Sequence, residues 1–411
     1  MLLSRFRKNL FLKNLTYLGS SEGISRIFKL LPTLILARYL SQSDFGIVAI
    51  SLTTLEFSRI FTLSSGLGTR LIQETDEHNI KLYSNTSYWL SWIMASIMAL
   101  IHIPLAFITS YLYHEPKVIL PLLILGLSFL LNPIGQTHFF LTMKDNNLGK
   151  VAKINTINTA IGSIASCSLA FLSFGYWSVI LPQLLTGLLW GLHYKRTSSW
   201  KPSTFSLQGY QHILGVGLQI IFIEILNKLR ANIDYMLVGA FLGVNALGLY
   251  YFAFTSGLGI SLSAIGAFNT ALLPYLCKHK QDKPLLKHKF LSTLKNISFI
   301  IIPLVLLQSS LAPFYVPILF SSKWIPAIPI IILICLSAIP RPFAEGAGSL
   351  LIALDKTSIN LKWNLLFTCF FSLCILFTVQ WGIIPVAVTV CAVHWLLLPL
   401  YTLWVYKYCF K

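Results

Sequence analysis

From residue 14 onward the chain is a succession of apolar runs, each about twenty residues or longer and so long enough to cross the hydrocarbon core of a bilayer as a helix. Hydrocarbon offers the backbone no hydrogen bonds, so a chain of such runs satisfies its N–H and C=O groups internally, as a bundle of helices. The runs fall at 14–37, 46–69, 83–112, 118–142, 154–173, 176–193, 212–240, 248–276, 290–318, 325–354, 361–379 and 385–406. An all-α polytopic membrane protein of about twelve spans is expected. The junctions at 38–45 and 241–247 are short enough to force antiparallel hairpins. A composition 55% apolar and only 11% charged excludes an ordinary soluble domain.

Lys and Arg alternate between loops and set the orientation. Arg5, Arg7, Lys8, Lys13, Arg70, Lys81, Lys144, Lys150, Lys153, Lys195, Arg196 and Lys201 fall on one side, followed by the lysines of 278–289, 356–362 and 407–411. Against them stand Arg38, Lys117 and Lys323. Positive loops stay inside, so both termini are expected in the cytoplasm. The same loops account for the formal charge of +18, and no nucleic-acid partner is expected. The first basic residues are followed by a stretch broken by Glu22, Arg26 and Lys29 without a small-residue cleavage site, so no signal peptide is read. Seven cysteines lie in apolar segments or on the inner side with no metal or redox spacing, so neither disulfide, metal nor cofactor is expected. Trp89, Trp92, Trp177, Trp324, Trp381 and Trp404 sit near span ends, as interface anchors do.

Charge inside the spans is the functional signal. Arg26, Lys29, Arg59, Lys228, Arg230, Lys295 and Arg341 are basic; Glu22, Glu56, Glu224, Asp234 and Glu345 are acidic. Ionised groups at membrane depth face protein or water and mark transport routes. A shift of 202 residues lays ARYLSQSDFG (37–46) over GAFLGVNALG (239–248), Glu22 over Glu224 and Arg26 over Lys228. Two six-helix lobes, 1–201 and 202–411, related as a parallel repeat around a central cavity, are therefore expected. The cavity would bind an anionic cargo through Arg26, Lys29, Arg59, Lys228, Arg230 and Arg341, with Glu22, Glu56, Glu224, Asp234 and Glu345 as charge partners or coupling groups. The bland alternative pairs each cation with its neighbour on the same helix: Glu22 with Arg26, Glu56 with Arg59, Glu224 with Lys228, Arg230 with Asp234, and Arg341 with Glu345. Pro340 and Pro342 flank Arg341, so the tenth span is expected to break there and present it at a hinge. No phosphate-binding loop is present, so energy would come from a proton or sodium gradient, the membrane potential or the cargo gradient.

The run LARYLSQSDFGIVAI (36–50), SSGLGTRLIQ (64–73), the stretch from Leu226 through Asp234 and Gly239 to GLYYFAF (248–254), and NTALLPYL (269–276) resemble bacterial oligosaccharide flippases of the Wzx type. That resemblance places the chain in the superfamily of multidrug extruders, polysaccharide exporters and lipid II flippases. It implies movement of an undecaprenyl-pyrophosphate-linked oligosaccharide across the inner membrane for O-antigen, capsule or exopolysaccharide assembly. Membrane lipid, a polysaccharide polymerase and a chain-length regulator are the partners it suggests. Two alternatives are weighed against it. An organic-cation extruder of the same fold fits a net positive cavity poorly, and a membrane polymerase or ligase acting on lipid-linked sugars would need a long external loop.

Overall fold

The computed structural model describes residues 10–62 and 64–410. It forms two compact units, 1–228 and 229–411. The first contains α1 (Leu10–Tyr39), α2 (Gln42–Ile60), α3 (Ser64–Gln73), α4 (Glu77–Tyr113), α5 (Ile119–Leu127), α6 (Pro133–Lys144), α7 (Leu148–Phe171), α8 (Trp177–Lys195) and the start of α9 (Tyr210–Cys277). The second contains the rest of α9, then α10 (Lys283–Tyr315), α11 (Ile328–Leu336), α12 (Arg341–Ala353), α13 (Thr357–Thr378) and α14 (Ile383–Phe410). Each expected span is helical, and no strand occurs among the described residues. Of the described helices, six are long and apolar enough to cross a membrane, or seven if the bent pair at 116–144 is one span.

The hairpin at 38–45 is built by Ser41, whose hydroxyl accepts from the Asp44 N–H at 3.1 Å while the Asp44 carboxylate accepts from the Ser41 N–H at 2.9 Å. This reciprocal box fills two of the donors that a helix start leaves open, and so halts α1 and starts α2 within two residues. At the repeat-related position, 202 residues on, Gly243 breaks α9 with φ 82° and ψ 175°, a conformation that only glycine adopts readily. Downstream, Asp76 caps α4 and Asp282 caps α10, though these two lie 206 residues apart and so outside the strict shift.

Packing within the first unit joins α1 to α7, where the Ser21 hydroxyl donates to the Ala152 carbonyl at 2.9 Å. A core of Leu55, Met98, Leu125, Phe129 and Ile180 knits α2, α4, α5 and α8. The boundary between units falls inside α9 rather than at the expected 201/202. The loop before α9 is strapped to α4: Asn85 donates to the Thr204 carbonyl and accepts from the Ser203 N–H, Thr86 donates to the Gln208 carbonyl, and Trp89 donates to the Ser203 carbonyl. Leu214 and Ile221 then pack on the cluster of Leu67, Leu90 and Phe140, which carries the first turns of α9 into this unit.

In the second unit Trp324 is 0% exposed and stacks on Phe252 at 3.9 Å. It is a core residue, not the interface anchor expected from its place near a span end. Its large apolar area is worth more against Phe252 than at the headgroups. Trp381 and Trp404 do remain exposed.

Candidate functional site

The second expected span, 46–69, is not continuous. After Arg59 the helix stops: the Arg59 carbonyl accepts both the N–H and the hydroxyl of Thr62, and α3 starts only at Ser64. The fourth span breaks too, through a 3-10 turn at Ser128–Leu131 and then Pro133, bending by 50°. Pro133 lacks an N–H, and Asn132, a residue type that often caps helices, makes no capping hydrogen bond. Broken backbone at membrane depth is tolerated where it is packed in protein or lines a hydrated cavity.

Here it lines one. A cavity of 550 Å³ lies in the first unit, with Glu56 and Arg59 from α2, Asn132 and Gln136 at the break before α6, Phe139, Phe140 and Trp190 on its wall, and Glu224, Asn227 and Lys228 from α9. That is the volume of a site for a small ligand or headgroup. Lys228 donates to the Glu56 carboxylate at 2.6 Å, with the two side chains 40% and 45% exposed. So exposed a pair gains little from its attraction, about 1 kcal/mol or less, and is available to exchange partners. Arg59, on the last turn of α2, is exposed and projects its fork of donors at the cavity, in electrostatic contact with Glu56.

The wall is held by two glycines. A Cβ on Gly135 would lie 2.7 Å from the Gly191 carbonyl oxygen, so α6 and α8 meet backbone to backbone. Small residues permit that approach inside a membrane. It sets Phe139 of α6 beside Trp190 of α8, with ring centroids 5.6 Å apart.

A different arrangement occupies the second unit. Asp234 is 3% exposed and accepts from the Tyr250 hydroxyl at 2.8 Å and the Tyr235 N–H at 3.0 Å. Arg230 donates to Asn364 at 2.8 Å and lies 4.9 Å from the centre of the Phe367 ring. Arg341 donates to Ser337 at 3.5 Å and faces Phe254, while its Nε is buried without a partner. Glu345 interacts electrostatically with Arg230 first and then Arg341, whereas Asp234 interacts with Arg341. His394 is buried, its ring edge-on to Phe367 and Phe371, within electrostatic reach of both arginines. Pro340 and Pro342 do break the span, since α11 ends at Leu336 and α12 starts at Arg341.

The same-helix pairing is therefore corrected at two places, since neither Arg230 with Asp234 nor Arg341 with Glu345 forms an ion pair among the described residues. Lys228 in addition pairs with Glu56 across to α2. A four-residue spacing brings two Cβ atoms near each other, but Arg230 reaches across to Asn364 on α13 and Arg341 turns back to Ser337. Lys29 is exposed, Arg26 is half-buried, and neither lines the cavity; the side chain of Glu22 lies outside the described residues. Asn132, Gln136, Trp190, Tyr250 and Asn364 were missed. The i, i+4 spacing of Asn132 and Gln136 in an otherwise apolar run was the available signal for the first two.

Residues 35–329 match the family described as polysaccharide biosynthesis protein. Teichuronic acid biosynthesis protein TuaB of Bacillus subtilis (strain 168) is 26% identical over 74% of this chain and 63% of its own length. Lipopolysaccharide biosynthesis protein WzxC of Escherichia coli (strain K12) is 24% identical over 82% of this chain and 68% of its own. The chain thus spans about two thirds of the length of these relatives. Among solved structures, lipid II flippase MurJ in its inward closed conformation superposes with a TM-score of 0.77, 16% identity, and coverage of 95% of this chain and 87% of that one. An inward-facing multidrug resistance MATE family transporter of the MOP superfamily gives 0.68, 15%, and 94% of each chain. At these identities the likeness establishes the fold alone.

Proposed function

The chain belongs to the polysaccharide biosynthesis protein family, and we propose that it is a flippase, translocating an undecaprenyl-pyrophosphate-linked oligosaccharide across the bacterial inner membrane by alternating access. The observation that carries this reading is the 550 Å³ cavity where Arg59 and Lys228 offer cationic donors beside amides and aromatic rings. A pyrophosphate presents oxygens that a guanidinium grips in bidentate fashion and an ammonium as a point charge. Lys228 is held by Glu56, and an arriving headgroup would compete for it. The exchange leaves Glu56 free to take up a proton or sodium ion, which offers one route for coupling to a gradient. Polymer assembly would follow on the outer face, with both termini in the cytoplasm as the loop lysines imply.

Deletion of the gene should abolish surface polysaccharide and leave lipid-linked repeat unit on the cytoplasmic leaflet. Complementation with Arg59→Ala or Lys228→Ala should fail to restore the polymer at unchanged abundance of the protein in the membrane. Full polymer from both variants would remove the cavity cations from the pathway. One observation favours a second reading: Glu56 and Glu224 line the same cavity, and carboxylates there suit an organic cation. Increased drug susceptibility of the deletion strain with intact polymer would select it.

A further inference from the structure

Among the groups that line the cavity, Gln136 stands apart. It is 6% exposed, its Nε2 is buried without a hydrogen-bond partner, and its side chain makes no hydrogen bond to any described residue. A buried amide left unsatisfied is costly, and native proteins retain few of them. Elsewhere on α6 the Thr142 hydroxyl donates to the His138 carbonyl and His138 meets the Ser198 hydroxyl at 2.8 Å, while the Thr137 hydroxyl, also buried without a partner, does not line the cavity. Gln136 has no such answer among the described residues. It sits one helical turn from Asn132, on the same face, and that amide also goes without a cap bond.

Opposite charge does not explain this end of the cavity. Arg59, Lys228, Glu56 and Glu224 come from α2 and α9, whereas Gln136 shares its helix with Phe139, whose ring meets Trp190 of α8 in the same lining. Neutral amides together with aromatic faces match one ligand chemistry closely. A pyranose ring has an apolar C–H face that packs on an aromatic ring, and an edge of hydroxyls or an acetamido group that needs donors and acceptors. The terminal torsion of glutamine is broad and two-fold, so the Gln136 amide can turn either its N–H or its carbonyl to such an edge.

We propose that Gln136 is the specificity-determining contact of a sugar subsite in this cavity, reading a saccharide that packs against Trp190 and Phe139 while the adjoining cations hold the phosphates. The inference rests on the flippase reading and adds to it the part of the cargo that is discriminated. A site built to hydrogen-bond a polar group rejects a ligand lacking that group far more strongly than an apolar pocket rejects an extra methylene. Discrimination by the glycan rather than by the lipid carrier follows.

The test uses the full chain in nanodiscs and Gln136→Met, which keeps the length of the side chain and removes the amide. Binding is measured for undecaprenyl pyrophosphate and for its glucose, galactose and N-acetylglucosamine conjugates. Wild type should bind at least one conjugate more tightly than the bare lipid, and Gln136→Met should lose that advantage, about tenfold, while holding the bare lipid as before. Its thermal midpoint should be unchanged or raised, because the substitution removes an unsatisfied group. A lowered midpoint would make Gln136 a structural residue and overturn the proposal, as would equal loss for bare and sugar-bearing lipid, or no loss. Wild type that binds bare lipid but prefers no conjugate removes the sugar subsite and leaves the flippase standing. Wild type that binds none of the four removes both.

Discussion

The two halves of this chain share a topology and use their charges in opposite ways. In the first, Glu56 and Lys228 meet in an open cavity, each side chain more than a third exposed, and Arg59 projects into the same space. In the second, Asp234 is sealed by Tyr250, and Arg230 and Arg341 rest on aromatic rings with an amide or a hydroxyl for company. Shifting Arg59 by 202 residues gives Ser261, whose hydroxyl donates to Gln308 at 2.6 Å. The charges thus left the eighth span and appear on the tenth, at Arg341 and Glu345. A hydrated ion pair costs little to open and suits a group that must trade partners. A dry network is expensive to open and suits a group that must keep its unit in one arrangement.

The comparison breaks most visibly at Arg341. Replacing it by Ala takes from buried Asp234 the cation it interacts with and leaves Glu345 with Arg230 alone, and should cost about 3 kcal/mol, read as a large fall in the thermal midpoint and in membrane abundance. Gly135→Ala drives a methyl group into the Gly191 backbone and should cost about 2 kcal/mol through overpacking, with the first unit losing protection from proteolysis. Tyr250→Phe removes one of two hydrogen bonds to Asp234, and a loss of about 1 to 2 kcal/mol is expected with no effect in the first unit. A double-mutant cycle of Lys228→Met with Glu56→Leu should return a coupling below about 1 kcal/mol. A coupling as large as the Arg341 effect would erase the contrast between wet and dry halves. Smallest for stability is Arg59→Ala, within about 0.5 kcal/mol, although the same variant should lose polysaccharide export. Stability and export that fall together at Arg59 would assign it to the framework.

Much of the fold was legible because hydrocarbon imposes its rule on sequence directly. Runs of about twenty apolar residues must be helical, and Ser41 with Asp44 announces a cap. The Gly243 break follows from the repeat, and Pro340 with Pro342 announces an interrupted helix. The site was legible in composition and not in connection. Arg59, Lys228, Glu56 and Glu224 do line one cavity, yet the partner of Lys228 stands 172 residues away on another helix, and a local pairing rule points elsewhere. The break after Arg59 carries no proline, and the neutral side of the cavity, Asn132, Gln136 and Trp190, holds no charge to draw notice.

Taken alone, then, the order of residues determined that this chain crosses a membrane, where its apolar helical runs lie, and that ionised groups must be hidden from lipid. Those are matters of solvation, and solvation acts on each segment where it stands. Which cation meets which carboxylate, and which of them meets water, was decided only when helices distant in sequence packed side by side. Long charged side chains reach several ångströms across such contacts, so their partners and their hydration belong to the assembled bundle.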